Sequence, residues 1–204
     1  MELNDVVRAR RMVRSFSERP VDPGLVDRLL DAARRAPSAG NAGGTTWVVL
    51  TGQTETARYW DHATTPEWRA EARRFAGLAR APLVLLSLAS PAAYLDRYDE
   101  PDKAGSGLGR AEGGAEAWPV PYWFGDAAFA TMLVLLAATE AGLGAVFLGN
   151  FRGEHEVLAA LGVPEGWRLF GAVVVGHPDG GDHRSRSLDR SPRADHQSMH
   201  RGGW

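Results

Sequence analysis

Residues 125–141 constrain this chain more than any other stretch. Phe129, Met132, Leu133, Leu136 and Ala137 are apolar, and small residues cover most of the remaining faces. A helix apolar nearly all round has to be buried, in a core or in a subunit interface. Its longest apolar run, Phe129 to Ala138, is interrupted by Thr131 and is too short to span a bilayer. With 204 residues the chain can bury such a helix inside one domain. The helix is apolar on more faces than one monomeric core needs, and the chain ends in a lone Trp204. A homodimer that buries the helix, with each tail laid over its partner, accommodates both features.

Helices and strands alternate around this element in an α+β manner, with no internal repeat. Residues 3–13 read as a short helix. Asp22 followed by Pro23 starts a second, whose stripe of Val26, Leu29, Leu30 and Ala33 ends before Pro37. Thr45 to Thr51 is β-branched and reads as a strand. Residues 54–80 set Trp60, Trp68 and Phe75 among many charges, as one or two amphipathic helices broken near Pro66. Residues 82–88 form a continuous apolar run, the signature of a buried strand. Gly142 and Gly144 end the apolar helix; a strand at 145–148, a helix at 153–161 and a strand at 168–175 follow. Residues 99–121, rich in glycine and closed by Pro119 and Pro121, read as a long irregular insertion, predicted to be a lid. The tail 179–204 is polar and arginine-rich.

Composition excludes several kinds of chemistry. No cysteine is present, so thiol catalysis, zinc–thiolate sites and iron–sulfur clusters are excluded. The formal net charge of −2 argues against nucleic-acid binding, which needs a dominant basic surface. The acidic start, Met1 to Asp5, has no apolar signal core, so the expectation is a cytoplasmic protein that neither spans nor enters a membrane. Gly105-Ser-Gly-Leu-Gly109 follows no strand and reads as a flexible loop. His196 and His200 lack a third ligand, so no metal site is predicted. Glu112 and Glu116 read as solvated loop carboxylates.

Two segments carry the functional signal. Arg10, Arg11 and Arg14 gather three guanidinium groups within five residues, and these planar forks suit phosphate and carbonyl oxygens. About thirty residues later, Ala36-Pro37-Ser38-Ala39-Gly40-Asn41 offers small residues and amides where backbone can approach a flat ligand. Together they suit a phosphorylated, planar cofactor.

In order and spacing, four features resemble the FMN-dependent nitroreductase family over most of the chain. They are Arg-Arg-x-x-Arg-x-Phe, Ala-Pro-Ser-x-x-Asn, the Gly142-Leu-Gly helix end and the Gly-x-Pro after the last strand. The resemblance implies an α+β fold, a central mixed β-sheet flanked by helices, in an intertwined homodimer with one FMN at each subunit interface. It implies ping-pong transfer from NAD(P)H through FMN to a small-molecule acceptor, a nitroaromatic, quinone or similar electron-poor compound, with no catalytic side chain required. Carried over, Arg10 would hold the FMN phosphate, Arg11 the ribityl–phosphate end, and Arg14 the flavin N1/O2 edge. Pro37, Ser38 and Asn41 would come from the partner. Phe147 and Leu148 would back the ring, and the Gly149 amide would donate towards N5. Arg193 would close the phosphate site. Trp118, Tyr122 and Trp123, at the end of the insertion, are expected to stack on the substrate.

Three departures stand out. Met12 replaces the usual Ser in the cofactor-binding run, Pro192 replaces a basic residue before Arg193, and Ala42-Gly43-Gly44-Thr45 replaces a Gln-Pro-Trp-like segment. Each lost charge-assisted bond weakens FMN binding by about 1.5–3 kcal/mol. Two other readings stay open: an FMN-dependent oxidase or dehydrogenase of a biosynthetic intermediate, and a flavin-free binding homologue.

Overall fold

The computed structural model describes residues 1–103, 105–182 and 200–203. Pro192, Arg193 and Trp204, with most of the tail expected to cross to a partner, lie outside the described residues. Four strands, β1 (Thr45–Thr51), β2 (Leu83–Ala89), β3 (Gly144–Leu148) and β4 (Arg168–Gly176), form one sheet in the order β1-β2-β4-β3. Neighbouring strands are antiparallel throughout. The parallel component of the expected mixed sheet is confined to its edge, where Met12 bridges to Ala145.

All seven residues of β2 are buried, Ser87 among them, as its largely apolar run requires of a central strand covered on both faces. Successive side chains of a strand point to opposite faces. Val84, Leu86 and Leu88 accordingly meet Trp60, Leu78 and Val157 in one layer, while Leu83 and Leu85 meet Leu29 and Val134 in the other. The first layer is built from α3 (Gly52–Ala63), α5 (Phe75–Ala79) and α8 (Glu154–Ala160); the second from α2 (Pro23–Arg34) and α7 (Tyr122–Glu140).

Residues 54–80 resolve into three helices, because α4 (Pro66–Glu71) stands between α3 and α5. Thr65 caps α4, its hydroxyl accepting from Trp68 N at 3.2 Å, just before Pro66. Asp22 caps α2 as expected, accepting from Gly24 N at 2.9 Å. The first helix, α1 (Leu3–Ala9), is shorter than predicted. Its expected last turn is drawn out along β3, where Val13 N–H donates to Ala145 O at 2.9 Å.

By length and composition α7 is apolar enough to cross a membrane. In the fold it packs against α2 and the sheet, and buries Asp126, Ala127, Ala130, Thr131, Val134 and Leu135. Its other face leaves Phe129 54% and Met132 47% exposed, and α1, which touches α7, exposes Leu3 and Val7.

Residues 99–121 form two short 3-10 turns, Arg110–Glu112 and Gly114–Ala117, anchored at both ends. Arg110 pairs with Asp96 of α6 (Pro91–Tyr98), and the Trp118 indole N–H donates to Leu108 O at 2.8 Å. Trp118 and Trp123 are buried with Tyr94 and Ala127 in a third apolar cluster.

Candidate active site

A cavity of about 800 Å³ is lined by residues of α3, α4 and α5, by Arg14, and by the end of β3 with the loop that follows it. Small-molecule sites run from about 300 to 1,000 Å³. Arg14, Phe147, Leu148 and Gly149, which the sequence analysis assigns to one ligand, all line it. Tyr59, Trp60, Trp68, Phe75 and Phe151 complete an aromatic wall; Arg73, Arg74 and Arg152 add three cations, and none of the described lining residues is acidic.

Arg14 owes its place to main-chain bonds on both sides. Val13 N–H is taken by β3, while Phe16 N–H donates to Gly77 O at 3.3 Å in α5 and Ser17 N–H to His177 O at 2.9 Å. The approach to α5 depends on Gly77: a Cβ there would lie 2.6 Å from the Arg14 carbonyl oxygen. Arg80 ties the same segment to the end of β4, with Nε donating to Phe16 O at 2.9 Å and Nη2 to Asp179 Oδ2 at 2.5 Å. Ser15 Oγ donates to the same carboxylate oxygen at 3.0 Å.

Burial holds the Arg14 guanidinium below its usual range; Arg74 pushes in the same direction, and Asp182 opposes them. A half-buried cation beside a like charge favours an anionic or oxygen-rich ligand. Phe147 stacks on Phe170, centroids 5.1 Å apart, and Phe170 on Phe124, which fixes the strand end that faces the cavity.

The Pro37–Asn41 segment does not line this cavity. It is a 3-10 turn, Ala39–Asn41, with positive φ at Gly40 (62°) and Asn41 (56°). Asp126 Oδ2 accepts from Ala39 N at 2.7 Å and from the Tyr94 hydroxyl at 2.7 Å. Arg97 Nε donates to Gly40 O at 2.8 Å while its other nitrogens grip Asp102. Gly43 N donates to Ser38 Oγ at 3.1 Å. Burial, then the neighbouring Asp126, pushes the Tyr94 hydroxyl up, so it stays a neutral donor. Gly40 adopts its left-handed conformation freely, whereas that of Asn41 costs free energy and persists where the surroundings over-determine it, as these do.

Arg10, Arg11 and Met12 also lie outside the cavity wall. Met12 contributes its side chain to both main core clusters, which explains an apolar residue in a cationic run. Trp118, Tyr122 and Trp123 are not brought to the cavity either: the two tryptophans are buried around Tyr94, and Tyr122 alone is exposed. Arg193 lies outside the described residues. The sequence reading missed Arg74, Trp60, Asp126 and Arg97. Of these Asp126 had a signal, as the one acid inside a helix that is apolar up to its last residue, Glu140.

Residues 7–177 match the Nitroreductase family, and the chain belongs to it. The chain is 30% identical to 5,6-dimethylbenzimidazole synthase of Rhodobacter capsulatus, covering 99% of this chain and 90% of that protein. It is 26% identical to the FMN reductase [NAD(P)H] of Bacillus subtilis, over 86% of this chain and 67% of that one. The solved structure of a putative nitroreductase in complex with FMN from Desulfovibrio desulfuricans shares the fold, with a TM-score of 0.61, 22% identity and 91% of each chain covered.

The residues present fit a flavin mononucleotide. Arg10 Nη1 is buried and has no hydrogen-bond partner among the described residues, an orphaned donor suited to phosphate. Arg14 and the exposed Gly149 backbone stand in a cavity with flat aromatic walls.

Proposed function

We propose that this chain is an FMN-dependent oxidoreductase, a cytoplasmic homodimer that passes electrons from NAD(P)H to a nitroaromatic, quinone or similar electron-poor acceptor. The observation that carries this reading is the meeting of Arg14 with Phe147, Leu148 and Gly149 in one acid-free cavity. The family membership and the FMN-bound relative support the cofactor, and the Bacillus relative's name supports NAD(P)H as donor.

FMN, when bound, supplies two-electron hydride chemistry between donor and acceptor. Arg10 and Arg11 would bind its phosphate end, as would Arg193. Arg14 would place positive charge at the N1/O2 edge, where negative charge develops on reduction. Phe147 and Leu148 would orient the ring, the Gly149 N–H would donate at N5, and the aromatic wall would exclude water. For a quinone acceptor, NAD(P)H gives two electrons and one proton, solvent gives a second proton, and hydroquinone and NAD(P)⁺ result. Pro37, Ser38 and Asn41, remote from their own cavity, would complete the partner's.

The Rhodobacter relative's name, that of a biosynthetic enzyme, favours a second reading: an FMN enzyme oxidising a biosynthetic intermediate, with oxygen as final acceptor. The visible spectrum of the purified protein tests both. A flavin spectrum bleached by NAD(P)H without oxygen supports the reductase. A flavin that NAD(P)H leaves oxidised favours the second reading, and a colourless protein that takes up no FMN favours the binding homologue.

A further inference from the structure

The cavity holds more positive charge than the flavin assignment uses. Arg10 and Arg11 serve the phosphate from outside the cavity wall, and Arg14 serves the ring edge. Arg73, Arg74 and Arg152 remain; of these Arg73 and Arg152 are exposed and have no side-chain hydrogen bond or ion pair among the described residues. Among the described residues no Asp or Glu lines the wall to neutralise them. Nearby Asp61 is taken by Arg69 at 2.9 Å, and Glu154 by Arg168 at 2.8 Å.

Two further polar atoms of the same wall lack partners. The Trp60 indole N–H is buried and bonds to nothing among the described residues, and Asn150 Oδ1 is likewise unpaired. The rest of the rim is flat and apolar: Trp68 is 44% exposed and Phe151 96% exposed, with Phe75 set edge-on to Trp68 at 5.7 Å. A wall that combines unpaired guanidinium forks and exposed aromatic faces suits a flat ring bearing an acid group.

We propose that the electron acceptor is a planar aromatic compound carrying a carboxylate or sulfonate, its acid group recognised by Arg73 and Arg152 and its ring by Trp68 and Phe151. This rests on the reading of the cavity as a flavin site, and names the substrate class that site selects. An uncharged ring of the same shape would form no ion pair with either guanidinium group.

The test compares 4-nitrobenzoate with 4-nitrobenzamide, equal in shape and different in charge. The protein as purified should turn over the carboxylate with a kcat/KM about ten-fold higher or more, the equivalent of one charge-assisted bond. The double variant Arg73→Gln/Arg152→Gln should lose that preference through KM for 4-nitrobenzoate, with bound flavin unchanged. Equal kcat/KM for the two acceptors in the unaltered protein overturns the proposal. So does a double variant in which only the KM for NAD(P)H rises, which would assign the arginines to the donor's phosphates. Equilibrium dialysis of the two compounds reads the same preference without turnover. A colourless, inactive protein that still prefers the carboxylate would therefore count against the flavin reading and for the acid-binding cavity. Equal dialysis affinities count against the cavity proposal whatever the colour.

Discussion

The carboxylate of Asp126, on the buried face of the longest helix, accepts a hydrogen bond at 2.7 Å from the backbone N–H of Ala39, 87 residues earlier in the chain. Tyr94 donates to the same oxygen. One side chain thus fixes a turn that has two left-handed residues. Asp126→Ala would leave two buried donors unpaired, each costing roughly 1–3 kcal/mol. Its urea midpoint should fall well below that of Asp126→Asn, which keeps an accepting oxygen in place. Equal midpoints would show that the turn stands without this bond.

Gly77 lets α5 pass against the backbone of Arg14. Alanine there would need main chain to move, since its Cβ would meet a carbonyl oxygen rather than a flexible side chain. Gly77→Ala should cost about 1–3 kcal/mol, the usual range for overpacking. It should also weaken FMN retention, because the displaced segment carries Arg14. A variant as stable and as yellow as the parent would refute the close approach.

Arg10 and Arg14 are predicted to fail differently. Arg10→Ala should lose FMN, because a phosphate charge of about −1.5 to −2 loses its principal partner. Arg14→Ala should retain more flavin, with a lower midpoint potential and slower reduction by NAD(P)H. Flavin occupancy and spectroelectrochemical potential for the two variants decide the matter; negligible change in both removes the basis for the site.

Asp179 gives a pH dependence with a definite sign. The Gly181 N–H, the Ser15 hydroxyl and Arg80 hold its carboxyl below the usual range. A folded-state value below the unfolded one, about 3.9, means that the stabilisation is complete above that pH and is lost as pH falls through the folded value. Urea midpoints measured from pH 7 down to pH 3 should therefore drop more steeply for the parent than for Asp179→Asn. Parallel profiles would mean that the network contributes nothing to stability.

Phe129 and Met132 extend the apolar surface of α7 towards Leu3 and Val7 of α1. If that surface is the subunit interface, Phe129→Glu should convert a dimer to a monomer in light scattering at low micromolar concentration, with loss of flavin. A parent protein that is already monomeric would sink the dimer, and with it the shared site.

Much of the scaffold was legible because its signals are local. Asp22 before Pro23 caps α2 from two residues away, and the apolar run of β2 marks a strand covered on both faces. The ligand segment at 147–149 and Arg14 were legible as motifs, and the fold brings them to one cavity. What escaped depends on distance along the chain. Met12 and Val13 leave a helical pattern because Ala145 offers them a sheet edge. Arg74 reaches the cavity only because α5 docks on the N-terminal segment, and Trp118 reads as a loop aromatic until Tyr94 and Trp123 are seen around it.

The strip that carries Arg14 has consequences for synthesis. Its main-chain partners are Gly77 in α5, Ala145 in β3 and His177 just past β4, and its side-chain clasp reaches Asp179. A nascent chain therefore emerges with its three arginines first and meets the sheet that supports them last. Until β3 and β4 are made this segment has only Gly77 and Arg80 to bind, and contacts of longer sequence separation form late. Capture of the cofactor becomes a report that the ribosome has delivered the whole sheet, so a truncated product reaching residue 140 should leave the ribosome without flavin.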